Sequence, residues 1–301
     1  MSVFRTKKWS DVLEKSFGFK LVLIKKEGGT LPLIQQGFGS RKRFVSVPLA
    51  DYAGPTYKTD ECFAALLAEA KNLGQVTIFT DQEPPTSPDG WHLDTPFESY
   101  RMETKMSYED LKMKVIHQKT RNMLNKAERL GVKAEKVSLE VGIDKYYPIY
   151  MKTMLRLQAL PLPKKFFKNL DGLAHVFEAR LEGKVLAGVV GIEYEDTLYV
   201  WSNASTKKGS KTGANNLAYA AAIRYAAENP ELKWVDFGST VPGTSHAFFK
   251  ARWGGEPYPI YRLSTEKAGP ESQAQKKIVN VLKYAPRPLL RLMARLIYRY
   301  Y

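Results

Sequence analysis

The chain has 301 residues, enough for one large domain or two ordinary ones, and its 44% hydrophobic and 26% charged residues exclude wholesale disorder. It carries 46 Lys and Arg against 31 Asp and Glu, a formal charge of +15, which favours a polyanionic partner: RNA, nucleotide phosphates or an anionic membrane surface. The same lysines are also consistent with nothing more than a soluble surface. A lone cysteine, Cys62, excludes an internal disulfide and suits a reducing compartment. There is no charged-then-apolar leader, and no apolar run approaches the ~20 residues of a membrane span. These features predict a cytoplasmic protein, at most peripheral on the inner face of the cell membrane.

In chain order, residues 18–26 and 30–36 around Gly28-Gly29 predict a β-hairpin. A strand over Phe44–Val47 runs into the loop Pro48-Leu-Ala-Asp-Tyr-Ala-Gly-Pro55, followed by a helix at 60–72 and a strand near Val76–Thr80. Asp81–Asp89, with three prolines, is a loop. Ser107 opens a long helix with Asp110 as capping-box partner, Gly131 stops it, and Leu111, Val115, Met123, Ala127 and Leu130 form its predicted apolar face. Its other face is strongly basic. Beyond it we expect a strand (132–138), helices (143–157, 164–170), three strands (174–181, 184–193, 197–204), a lysine-bearing loop, an alanine-rich helix (214–228), a strand (233–238), a short helix (243–251) and a last strand (257–263).

The stretches 43–79 and 199–237 share one plan of strand, glycine-containing loop, alanine-rich helix and strand, which suggests two similarly built lobes. The order of the second half, β-α-α-β-β-β-α-β-α-β, is that of the GNAT acyltransferase fold. Several segments resemble FemAB-type peptidyltransferases. They are Val47–Pro55, Arg121-Asn-Met-Leu-Asn-Lys-Ala127 with Gly131-Val132, Gly213-Ala-Asn-Asn-Leu217, Val235-Asp-Phe-Gly238 and Phe249-Lys-Ala-Arg-Trp-Gly-Gly255. They follow in family order from 47 to 255.

The resemblance implies an α/β (α+β) chain of two GNAT-like lobes, each a mixed central sheet flanked by helices. The expected division is a first lobe at 1–105, a connecting basic amphipathic helix at 106–131, a second lobe at 132–265 and a basic amphipathic tail at 266–301. It further implies transfer of an activated aminoacyl group from tRNA to an amine of a cell-wall (peptidoglycan) precursor. Relatives use acyl-CoA donors or act on lipid head groups, as the lysyl- and alanyl-phosphatidylglycerol synthases do. No helical-hairpin arm of the kind some bridge-forming relatives insert is present, and the region after 265 is not family core, which raises the prospect of a lipid-linked substrate.

Lys250 heads the candidate catalytic residues: the matching family lysine points into the inter-lobe channel, where an ammonium would stabilise the oxyanion formed when an amine attacks an ester. By spacing alone it reads as a surface lysine. Asp236, at a strand end, is either a proton acceptor or a cap for the next turn. His246, four residues before Lys250, has the pKa of a general base but as a lone histidine reads equally as structural. Lys208, Lys211 and Gly213 before the alanine-rich helix form either an anion-binding loop or a solvated one. A lysine stands where GNAT pyrophosphate loops place a middle glycine, which disfavours CoA. Asp51, Tyr52, Tyr57, Arg121, Lys126, Asn215, Arg252 and Trp253 complete the substrate-binding candidates.

No metal-ligand spacing is visible among the four histidines, and aminoacyl transfer requires no cofactor beyond the donor itself. Arg287, Arg291, Arg295 and Arg299 recur every fourth residue opposite a leucine-rich side, so residues 286–301 predict a helix lying in an anionic membrane interface, or docked in a hydrophobic groove. An acyl-CoA-dependent N-acyltransferase, and a non-catalytic RNA- or membrane-binding protein on the same fold, remain the alternatives.

Overall fold

The computed structural model describes residues 2–37, 39, 42–157 and 159–267. The helix expected at 286–301 lies outside the described residues. The described residues form two compact units, one holding those up to Glu98 together with Tyr258–Lys267, the other Ser99–Pro257. The 106–131 segment therefore belongs to the second unit instead of connecting two lobes. Most of the last strand lies in the first unit, because Tyr261–Ser264 pair antiparallel with Thr80–Thr77.

The first unit opens with a 3-10 turn, Val3–Arg5, and helix α1 (Lys7–Phe17), which the sequence reading lacked. Thr6 caps α1 and left-handed Gly18 ends it. Strands β1 (Lys20–Lys26) and β2 (Gly29–Gln36) form the expected hairpin, and β3 (Arg43–Val45) pairs with β2. A short strand β4 (Thr56–Tyr57) leads to α2 (Asp60–Lys71), capped by Thr59, and then to β5 (Gln75–Thr80). Strand order in this unit is β1-β2-β3-β5, then the last strand β12 (Glu256–Ser264). Phe63, Leu66, Leu67 and Ala70 of α2 pack onto Leu31, Leu33, Val76 and Ile78, so the 3.6- and 2-residue periods meet in one core.

The second unit contains the C-terminal half of β6 (His92–Glu103), a strand absent from the sequence reading. The predicted long helix is broken into a single turn α3 (Tyr108–Asp110), a π-helical stretch Leu111–Val115, and α4 (Gln118–Arg129). Ser107 does cap the first turn, through Asp110 N–H at 3.1 Å. Ile116 and His117 are extended, however, and the His117 side chain caps α4. The break shifts the buried face to Thr120, Leu124 and Ala127, leaving Leu130 exposed.

There follow β7 (Lys133–Ser138), α5 (Leu139–Arg156), α6 (Lys164–Lys168), β8 (Ala174–Leu181), β9 (Lys184–Tyr194) and β10 (Thr197–Ser205). Where a lysine-rich loop was expected the chain winds into α7 (Lys207–Thr212), then α8 (Ala214–Glu228), β11 (Trp234–Thr240) and α9 (Ser245–Ala251). Strand order is β6-β11-β10-β9-β8-β7. Ala218, Ala222, Ile223 and Ala226 of α8 bury one stripe against Phe177, Ala179, Ala187 and Val189. On the other face α5 approaches so closely that a Cβ at Gly142 would lie 2.7 Å from Val176.

Candidate functional site

Strands β10 and β11 are parallel, and their ladder is short. It covers Thr197–Tyr199 against Trp234–Asp236, after which β10 runs on to Ser205 and β11 to Thr240 without pairing to each other. A bulge between Val200 and Ser202 of β10 accompanies the parting. Backbone groups that leave a ladder need other partners, and here side chains supply them.

Lys250 lies on the buried side of α9, only 5% exposed. Its Nζ donates to the carbonyls of Gly238 (2.7 Å) and Ser239 (2.8 Å), just past the last β10–β11 pair. The following Trp253-Gly254-Gly255 turn fixes its backbone: Trp253 N–H donates to the Lys250 carbonyl at 3.0 Å, and Gly254 adopts φ 87° hard against Val115. The lysine therefore does not project into open solvent. Asp236 is buried as well, with Oδ1 accepting from Gly238 N–H (2.8 Å) and from the Ser99 hydroxyl (3.3 Å). Its Oδ2 stands 3.6 Å from the Arg101 guanidinium. Of the two readings offered for Asp236, the turn cap is the observed one. Ser99 and Arg101 come from β6 and were missed, although the buried alternation of Tyr100 and Met102 was available as a strand signal. His246 is exposed on α9, and loss of hydration together with the Lys250 ammonium holds its pKa below the usual imidazole value.

Other candidates take structural roles. The Arg121 Nη1 donates to the carbonyls of Lys112 (3.4 Å), Met113 (3.1 Å) and Ile116 (2.6 Å), closing the orphaned end of the π-helical stretch. Trp253 is fully buried, stacked on Tyr219 with centroids 5.7 Å apart, and is a core residue, not a substrate contact. Asn215 accepts from Asn203 Nδ2 at 2.9 Å, tying the first turn of α8 to β10. Arg252 is exposed, and its carbonyl accepts from His117 N–H at 2.9 Å, joining α9 to the start of α4.

Gly213 joins α7 to α8 at φ 81°, and a Cβ there would fall 2.5 Å from the Met123 carbonyl oxygen of α4. It is a packing glycine at a helix junction, and the segment before α8 is not an open phosphate-cradling loop. The close approach does bring two predicted basic segments side by side. Lys207, Lys208 and Lys211 of α7 and Lys119, Lys126 and Arg129 of α4 are all exposed. Lys208 lies 4.0 Å from Glu182.

In the first unit, Tyr52 is buried, with Phe4 edge-on at 6.0 Å and the Arg5 guanidinium 6.0 Å from its ring centre, so it too belongs to the core. Tyr57 is half-buried on Phe63, and burial, then Asp60, push its pKa up. Asp51 is half-exposed. The loop that carries Asp51 and Tyr52 includes Val47 at φ 45° and Leu49 at φ 63°, left-handed conformations that β-branched and bulky residues rarely adopt. Among the described residues no cluster of His, Cys, Asp and Glu is arranged to hold a metal, and no helix is long and apolar enough to cross a membrane.

The model of the acetyltransferase (GNAT) domain family matches residues 118–256. No curated protein matches the sequence. Among solved structures, FemX superposes with a TM-score of 0.69 at 13% identity, over 94% of each chain. The C-terminal domain of a putative lysylphosphatidylglycerol synthetase from Agrobacterium fabrum gives 0.61 at 12% identity, covering 93% of this chain and 92% of that one. The L-PGS of Bacillus licheniformis gives 0.61 at 13%, covering 93% and 97%. The parted β10–β11 pair and the helix that follows β10 thus lie within the stretch that the acetyltransferase (GNAT) domain model matches, and the chain has the fold shared by FemX, the Agrobacterium fabrum domain and the Bacillus licheniformis L-PGS.

Proposed function

We propose that the protein transfers an aminoacyl group from a charged tRNA to an amine of a cell-envelope precursor, forming an amide. The observation that carries this reading is the Lys250 ammonium, desolvated and fixed just beyond the point where β10 and β11 part. An amine attacking an ester carbonyl forms a C–N bond and places negative charge on the carbonyl oxygen. Collapse breaks the C–O bond, and the proton lost by nitrogen leaves on the departing hydroxyl. A positive charge already held in place, outside bulk water, lowers the energy of that oxyanion without reorganisation.

Two features favour tRNA over CoA as the donor. The residues before α8 are wound into α7, and Gly213 is packed on α4, where a CoA-type loop would turn its N–H groups toward a pyrophosphate. The adjoining lysines of α4 and α7 form an exposed basic ridge of the kind that takes a phosphodiester backbone. FemX and the lysylphosphatidylglycerol synthetase domain, which share the fold, make an envelope acceptor the natural candidate.

The test incubates the protein with a pool of charged tRNAs and a membrane extract, and in parallel with acyl-CoA thioesters, and follows formation of a stable amide. Transfer from tRNA is expected, and Lys250→Ala should lower it by about 10²-fold while leaving RNA binding intact. Transfer from CoA thioesters alone would replace the donor, and RNA binding without any turnover would favour a non-catalytic protein.

A further inference from the structure

Gly238 has φ 74° within β11, a left-handed kink in an otherwise extended strand. Carbonyls of successive residues in a regular strand point to opposite sides. Those of Gly238 and Ser239 nevertheless both accept from one ammonium, at 2.7 and 2.8 Å, because the chain turns at Gly238. The Asp236 carboxylate secures that turn by holding Gly238 N–H at 2.8 Å. The carboxylate is in turn held by the Ser99 hydroxyl and faced by Arg101 of β6.

We infer that Asp236 is a positioning residue: Ser99 and Arg101 orient its carboxylate, the carboxylate sets the Gly238 kink, and the kink presents two carbonyls that aim Lys250. This rests on the reading of Lys250 as the transferase's fixed charge, and it removes Asp236 from the role of proton acceptor. The two roles differ in what an amide would do. Asn at 236 keeps an oxygen that accepts from Gly238 N–H and Ser99 but cannot take a proton from an amine. Ala keeps neither.

The experiment compares the wild type with Asp236→Asn, Asp236→Ala and Gly238→Ala, each labelled with 15N at the lysine side chains. The Lys250 ammonium signal is assigned by its disappearance in Lys250→Ala. We expect a slowly exchanging Lys250 signal in the wild type and in Asp236→Asn, and its loss in the two alanine variants. An amine-reactive reagent should modify Lys250 about tenfold faster in those two. Transfer activity should follow the same division, with Asp236→Asn within about tenfold of wild type.

An unchanged Lys250 signal in Asp236→Ala would overturn the proposal. So would an Asp236→Asn protein that keeps the signal and loses turnover, since that pattern belongs to a proton acceptor. If Asp236→Ala does not fold, Gly238→Ala poses the same question through the backbone alone. The ammonium readout needs no substrate, so it decides the inference even if no transfer from tRNA is found.

Discussion

Glycine positions in this protein separate into those that relieve a turn and those that let two backbones touch, and substitution can tell them apart. Gly213 and Gly183 both have positive φ, 81° and 72°. A Cβ at Gly183 meets nothing within 4 Å, whereas at Gly213 it would lie 2.5 Å from the Met123 carbonyl oxygen and 3.2 Å from Ala127. Gly183→Ala should lose only the conformational term, about 1 kcal/mol, and Gly213→Ala about 2–4 kcal/mol as α4 and α7–α8 are pushed apart. Thermal unfolding checks this, and equal losses at the two sites would contradict the packing role. His175 carries a second residue-scale prediction. Burial, then the Lys136 ammonium, depress its pKa, against a smaller opposing pull from Glu193. Because the unfolded chain then binds the proton more readily, stability contributed by neutral His175 is present above about pH 6.5 and is lost as the pH falls through the lower folded value. Denaturant unfolding between pH 8 and 5 should therefore show a shallower acid loss in His175→Gln, and parallel curves would sink the assignment.

The α3–π–α4 region shows at the level of elements how a local irregularity reassigns a residue. Extended Ile116 and His117 leave the carbonyls of the π-helical stretch without helical partners, and one guanidinium, Arg121, closes them. Arg121→Ala should cost about 1–3 kcal/mol and speed hydrogen exchange across 111–117. Unchanged exchange would show that the bonds are incidental. No glycine or proline marks this break, so the sequence offered a continuous helix. By contrast, the hairpin at Gly28-Gly29 and the α8 start at Gly213 were legible, because a local turn residue coincides with a change of hydrophobic period. Pairing of β12 with β5 spans most of the chain and leaves no local trace. The candidate site was legible in the same uneven way. Lys250 and the Asp-Phe-Gly turn could be found as motifs, but the acceptors of the lysine are backbone carbonyls that only the Gly238 kink brings together, and no side-chain pattern encodes them.

For the whole molecule, the excess of positive charge read from composition becomes informative once part of it is located. Side-chain ion pairs absorb some cations, as at Arg5–Asp81 and Lys164–Asp144, both 2.6 Å apart. The lysines of α7 and the outer positions of α4 are exposed, on helices that Gly213 holds together. If this ridge carries a phosphodiester backbone, binding will release condensed counterions, and the logarithm of the affinity will fall linearly with the logarithm of salt concentration. Replacing Lys207, Lys208 and Lys211 together by Gln should weaken tRNA binding and reduce that slope by about 2–3, near one unit for each lost phosphate contact. Lys250→Ala should leave the slope unchanged, because that ammonium is buried against backbone carbonyls. Fluorescence titrations of an uncharged tRNA across a range of salt concentrations measure both. A slope indifferent to the triple substitution would place the polyanion elsewhere, and the lysines of α7 would then do no more than keep the surface solvated.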